Sequence, residues 1–361
     1  MLFLKICYNE KCHTAFIFNH YMQKFYVTGR KNIMEYKEPI KGTTMSFRPD
    51  IKVLDATIRD GGLVNSFHFS NSFIKALYET NLKAGIDCME LGYKADRDLF
   101  DPEKFGIWKF CDEEKIRSVI GENNTNMQLA VMADVGRTNL ERDLPEKKDS
   151  IIDIVRVATY IHTIPAAVEM IEHCTKKGYR TTVNIMAVSK AKESELDEAL
   201  SILGQSSVDV IYLVDSYGSI FPLEMRHLAD KYLEAAERYG KKVGIHAHDN
   251  QRLAYANTIE CAMRGVSYLD ATMAAMGRGA GNCAMELLLC FLKNPKYDIK
   301  PVLRFLQDYM LPLKKNGTVW GYDIQYLLTG HLNLHPRNAI AFTNDKREDY
   351  FNFFQELMEN E

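Results

Sequence analysis

No two of the eight cysteines, at positions 7, 12, 88, 111, 174, 261, 283 and 290, have the CxxC spacing of a zinc or redox motif. Disulfide frameworks belong mainly to short secreted chains, so these read as free thiols in a reducing compartment. Cys283, beside a glycine-rich loop, reads as a packed thiol. The chain also lacks any run of roughly 18 apolar residues, which excludes an apolar spanning helix. Its opening MLFLKICYNEKC brings charge too early for a secretory h-region, so a cytoplasmic location is expected. Charge of one sign is missing as well. Against 48 acidic residues stand 45 basic ones, a formal net of −3, which provides no basic field for nucleic acid. With 46% hydrophobic and 26% charged residues, the composition is that of an ordinary folded protein.

What is present is a rhythm. Residues 1–48 mix aromatics and lysines without a period and read as an extension, with Met45 as a candidate true start. From residue 51 short β-branched runs alternate with helix-length amphipathic segments. Strands are expected at 51–58, 87–92, 127–133, 151–158, 180–188, 208–214, 242–248 and 267–273. Helices are expected at 71–83, 165–177, 193–203, 222–239 and 251–264. Pro165 and Pro222 stand at helix starts, and Gly85, Gly178, Gly240 and Gly265 just past helix ends. Eight strand–helix units predict an α/β fold, a (β/α)8 TIM barrel over 49–295, with an open doubly wound sheet as the rival. Residues 296–361 lose the rhythm and read as a C-terminal helical appendage ending in a helix near 345–359.

In such a barrel the chemistry lies at the C-terminal ends of the strands. Three segments carry polar groups there. The first is Leu54-Asp55-Ala56-Thr57-Ile58-Arg59-Asp60-Gly61-Gly62. Read as a strand, it places Asp55, Thr57 and Arg59 on one face, where they serve either a ligand or an Arg59–Asp55 ion pair. The second is His246-Ala247-His248, two imidazoles on one side of one strand, able to bind one ion with a carboxylate such as Asp60. That donor set suits Mn²⁺, Mg²⁺, Co²⁺ or Zn²⁺. The third is Gly277-Arg278-Gly279-Ala280-Gly281-Asn282, which lacks the GxGxxG spacing of a nucleotide fingerprint and reads as a tight turn at the barrel mouth.

Together LDATIRDG, HAHDN and GRGAGN, in that order, resemble the signatures of the metal-dependent pyruvate aldolase and acyltransferase barrels. That superfamily includes 3-hydroxy-3-methylglutaryl-CoA lyase, 2-isopropylmalate synthase and 4-hydroxy-2-oxovalerate aldolase, and the resemblance spans roughly residues 51–295. It implies that Asp60, His246 and His248 bind a divalent metal, Mn²⁺ or Mg²⁺ first, with Asn282 as a further ligand. It implies that Arg59 stabilises an enolate oxygen, and that Ser216, in Asp215-Ser216-Tyr217-Gly218, helps hold a keto-acid carboxylate. Glu90, in MELGY, matches a strand-end glutamate expected at the substrate.

The match has gaps. Where the hydroxy-oxovalerate aldolases carry a proton-transferring histidine three residues after the metal-binding aspartate, this chain has Leu63. His68 is the nearest replacement, with a surface role as the alternative. The segment WGYDIQYLLTGHLNLHP resembles the helical end of those aldolases, which contacts a partner acetaldehyde dehydrogenase, and Tyr322 or Tyr326 could serve as an acid or pack in an aromatic core. The expected activity is a divalent-metal-dependent aldolase acting on a 4-hydroxy-2-keto acid through a metal-bound pyruvate enolate. An acyl-CoA-dependent condensing synthase and a non-catalytic barrel subunit are the alternatives. The resemblance further implies a homo-oligomer.

Overall fold

The computed structural model describes residues 48–359. The expectations for residues 1–47, including the start at Met45 and the thiols of Cys7 and Cys12, lie outside the described residues.

Eight parallel strands close into a barrel in sequence order: β1 (Lys52–Asp55), β2 (Cys88–Tyr93), β3 (Gln128–Asp134), β4 (Ile154–Thr159), β5 (Arg180–Ile185), β6 (Val210–Asp215), β7 (Lys242–Ala247) and β8 (Tyr268–Ala271). β1 closes on β8 with Leu54 opposite Asp270, and the open sheet is thereby excluded. Around the barrel lie α1 (Thr57–Asn65), α2 (Asn71–Ala84), α3 (Glu113–Ile120), α4 (Ile164–Lys176), α5 (Glu193–Gln205), α6 (Pro222–Tyr239), α7 (Ala254–Arg264) and α8 (Met285–Leu292). Pro165 and Pro222 occupy first turns, where a missing N–H leaves no bond unmade. Gly85, Gly178, Gly240 and Gly265 all take positive φ at or just past helix ends, as their positions predict.

Strand alternation sorts the side chains into two shells. Val155, Val157, Ile211 and Leu269 face outward into the large core against the helices. Cys88, Ile154 and Tyr212, at positions of opposite parity, fill the bottom of the barrel interior. One layer above them the interior turns polar, with Glu90, Arg156 and Asp270 all essentially inaccessible to solvent. Burying three charges in one layer is tolerable only because they pair.

One expected element is corrected. The strand predicted at 51–58 stops at Asp55, and Thr57 opens a helix. The Asp55 carboxylate accepts the Thr57 N–H at 3.0 Å and the Asn81 amide at 2.7 Å, so it ends the strand and starts the helix with its own side chain. Asp55, Thr57 and Arg59 therefore do not share a strand face, and no Arg59–Asp55 ion pair forms. α1 ends on two left-handed residues, Ser66 and Phe67, which turn the chain back toward α2.

The C-terminal segment is helical, as expected. α9 (Ile299–Lys315) contains a π-helical stretch at Leu306–Met310, and α10 (Ile324–His331), α11 (Arg337–Asn344) and α12 (Tyr350–Glu359) follow. Its docking was not legible beforehand. Trp320 donates to the Ala274 carbonyl at 2.9 Å, and the Asn333 side-chain oxygen accepts from Ser189 Oγ and Ser219 Oγ at 2.7 and 2.8 Å. These bonds tie the segment to loops after β8, β5 and β6, so it caps part of the barrel mouth. No helix among the described residues is long and apolar enough to cross a membrane.

Candidate metal centre

The start of α1 lies over the barrel mouth, and its third and fourth residues, Arg59 and Asp60, turn inward to buried positions. On the far side His246, in β7, and His248, just past its end, project from one face, also buried. Donor atoms of Asp60, His246 and His248 all lie within 4.8 Å of one another. His246 Nε2 is 3.6 Å and His248 Nε2 4.0 Å from the same Asp60 oxygen, too far for hydrogen bonds and spaced as ligands around a common centre.

The electrostatics suit a cation. Burial alone would raise the Asp60 carboxyl, but the Arg59 guanidinium and the two imidazoles hold it well below the usual carboxylate range. Burial pushes His248 down to about 3, with Asp60 opposing and Arg278 adding to the shift, so its ring is a neutral donor. Burial and Arg59 also press His246 downward, but its bond to the Asp270 carboxylate and the nearby charge of Asp60 outweigh them and raise it. Asp270 lies 3.0 Å from His246 Nδ1; being ionised it can only accept, so Nδ1 carries the proton and Nε2 faces Asp60.

Asn282 reaches the same centre from the glycine-rich loop. Its amide nitrogen donates to Asp60 Oδ1 at 3.1 Å and to the Met276 carbonyl at 3.2 Å, while its buried Oδ1 has no partner among the described residues. The carboxylate and two imidazoles form a donor set that fits a divalent cation, and the unpaired amide oxygen is a further oxygen donor on the residue that bonds Asp60. Gly277 permits this approach, because a Cβ there would collide with the Asn282 amide and stand 2.5 Å from Asp60 Oδ1.

Behind the centre runs a chain of alternating charges. Arg59 Nε donates to Glu90 Oε2 at 2.9 Å, and the same oxygen accepts from Arg156 at 2.7 Å. Arg156 donates onward to Asp270 at 2.6 Å, and Asp270 holds His246. Glu90 is thus fully buried under the cleft and grips two guanidinium groups, and it is not among the residues that line the cleft. Arg59 itself stays at the cleft, bonded to Asp60 and 3.4 Å from His246 Nε2.

A small cleft opens over these residues, lined by Arg59, Asp60, Ser216, His246, His248 and Arg278, with Leu63 and Tyr93 on its walls. Ser216 Oγ accepts the Ala187 N–H at 2.9 Å, leaving its own proton free to donate. His68 is not brought there: it is exposed, with Nε2 3.3 Å from the Lys104 carbonyl. Tyr322 is exposed beneath the Arg252 guanidinium, and Tyr326 lines a different, outer cleft. Cys283 is a packed thiol that burial pushes up to about 12. Sequence reasoning missed Arg156 and Asp270, although each is a charge inside an otherwise apolar strand and such a residue requires a buried partner. It also missed Tyr93 and Asn184, which carry no local signal.

This geometry agrees with what the chain is similar to. A protein named 4-hydroxy-2-oxovalerate aldolase 2, from Salinispora arenicola, is 27% identical over 238 residues, 66% of this chain and 67% of that one. A protein of Mycobacterium tuberculosis named oxaloacetate decarboxylase is 26% identical over 246 residues, 67% of this chain and 70% of its own. Among solved structures, the N-terminal domain of a candidate aldolase from Bacteroides vulgatus superposes with a TM-score of 0.70 at 26% identity, covering 81% of this chain and 96% of that one. The HMGL-like family model matches residues 50–307, a stretch that contains every strand of the barrel and every residue of the metal-capable cluster, and this chain belongs to that family of enzymes.

Proposed function

We propose that this protein is a divalent-metal-dependent aldolase that cleaves or forms a 4-hydroxy-2-keto acid, with the enolate of pyruvate as the species common to both directions. The observation that carries it is the convergence of Asp60, His246 and His248 beside the Arg59 guanidinium. Those three residues, with Asn282 Oδ1, would hold the cation, Mn²⁺ or Mg²⁺ first and Co²⁺ or Zn²⁺ as other fits to the donors. When bound, it supplies Lewis acidity to the keto-acid oxygens.

The chain's own residues supply the rest. Arg59, held by Glu90, keeps a fixed positive charge where the enolate oxygen develops, and it needs no reorganisation to do so. The free Ser216 proton donates to the keto-acid carboxylate. Tyr93 lines the cleft, and burial keeps its phenol protonated, so we assign it, in place of His68, as the proton donor to the enolate carbon.

The relative named oxaloacetate decarboxylase favours a second reading, because loss of CO₂ from oxaloacetate also leaves the pyruvate enolate. Both are tested by pyruvate release from a panel of 4-hydroxy-2-keto acids and oxaloacetate, with Mn²⁺ or Mg²⁺, with chelator, and without protein. Chelator-sensitive release from a hydroxy-keto acid, lost in His246→Ala, is the expected result. Release from oxaloacetate alone would replace the aldolase with the decarboxylase. No release from protein shown to bind metal would turn attention to acetyl-CoA-dependent condensation. A cytoplasmic setting, self-association and a partner aldehyde dehydrogenase belong to the same proposal, and co-purification from the native host tests the last two.

A further inference from the structure

A second cleft of about 580 Å³ adjoins the first, between α1, the glycine-rich loop and the capping C-terminal segment. Leu63 and Arg278 line both clefts, so the two share these side chains as a common wall. The outer one is far larger than a two-carbon aldehyde requires. Among the described residues its charged lining residues are Arg278 and Lys346, and no carboxylate lines it. Asn65, Thr343 and Asn344 add amides and a hydroxyl to its walls.

Arg278 is the unusual member. Its backbone N–H donates to Asp60 Oδ1 at 2.9 Å, which anchors the residue at the metal centre. Its guanidinium reaches only neutral groups, the Ser216 carbonyl at 3.3 Å and His335 Nε2 at 3.3 Å. Its Nε is buried without a partner, and no carboxylate lies within ion-pair distance among the described residues. Lys346 likewise has no ion-pair partner among them. A partly buried guanidinium that meets no anion in its own protein is a ready site for one brought by a ligand.

We propose that the outer cleft seats the distal part of the acceptor aldehyde, and that Arg278, with Lys346 beyond it, recognises an anionic group there. The acceptor is then a hydroxylated aldehyde carrying a phosphate or a carboxylate, an assignment that rests on the aldolase reading of the inner cleft. In the addition direction the pyruvate methyl carbon loses a proton and bonds to the aldehyde carbon. The aldehyde oxygen gains a proton, and no oxidant or reductant is involved.

Binding is measured calorimetrically on the full chain with three unreactive mimics: glycerol 3-phosphate, glycerate and glycerol. At least one anionic mimic is expected to bind tenfold or more tightly than glycerol, and which one it is tells phosphate from carboxylate. Arg278→Met should weaken that binding at least tenfold, and Lys346→Met, at an exposed position where folding is not at stake, severalfold. Anionic mimics that bind no better than glycerol, or binding unchanged in both variants, would overturn the assignment. Exchange of the pyruvate methyl protons with D₂O needs no acceptor and reads the inner cleft separately. Exchange without a preference for glyceraldehyde 3-phosphate or another anionic aldehyde over acetaldehyde would sink the acceptor assignment and leave the aldolase standing. Absence of exchange would remove the reading on which it rests.

Discussion

One oxygen of Asp270 binds both His246 Nδ1, at 3.0 Å, and Arg156, at 2.6 Å. A residue of β8 with no place at the cleft surface therefore sets the orientation of a metal-capable histidine on β7. The guanidinium that shares this oxygen also shares Glu90 with Arg59, so a single buried network orients groups on both sides of the centre.

Asp270→Asn keeps the shape but removes the charge that fixes the His246 tautomer. Metal affinity is expected to fall roughly 10- to 100-fold, the usual cost of losing a partner behind a ligand. Titration of the apoprotein with Mn²⁺ checks it, and an unchanged affinity would mean that Asp270 does not orient His246.

Arg59→Ala removes the fixed charge facing the enolate. Turnover should drop about 10²- to 10³-fold, as for loss of one preorganised donor. Metal affinity should hold or rise, because the guanidinium bonded to Asp60 competes with a cation for that carboxylate. Full turnover in a metal-loaded variant would end the assigned role.

Gly277→Ala places a methyl group against the Asn282 amide and Asp60. The loop must shift, at a cost of about 1–3 kcal/mol in stability, and metal affinity should fall with it. Denaturant melts and metal titration on the same sample read the two effects.

Burial pushes the Asp215 carboxyl up to about 7, against the opposing N–H bonds of Ser219 and Ile220. Its unfolded value is about 4, so the folded protein holds a proton that the unfolded chain has released between those limits. Stability should therefore fall as pH rises from about 4 to about 7, by up to ~1.4 kcal/mol per unit from this one group. Asp215→Asn has one side-chain oxygen and can accept only one of these two bonds, which go to different carboxylate oxygens, but it cannot titrate and should flatten that slope in urea melts of the chelator-treated protein. An identical slope in the variant would refute the shift.

Strand–helix alternation, the helix-start prolines and the helix-end glycines are local properties, and from them the sequence by itself determined eight strand–helix units, while closure into a barrel was decided by the pairing of β1 with β8. The spacing of His246 and His248 likewise put both rings on one side, because parity along a strand is local. Only the tertiary structure decided that the first strand ends at Asp55, since the Asp55 cap and the Asn81 bond that holds it outweigh the β-branched pattern up to Ile58. It also decided which charges pair. Glu90, Arg156 and Asp270 come from three strands up to 180 positions apart, and only closure of the barrel brings them into one layer. Leu63 and His68 show the same limit. Five positions separate them, yet the left-handed turn at Ser66 and Phe67 leaves Leu63 on the cleft wall and turns His68 out to solvent, because the direction of a chain after a helix depends on backbone angles that no periodicity encodes.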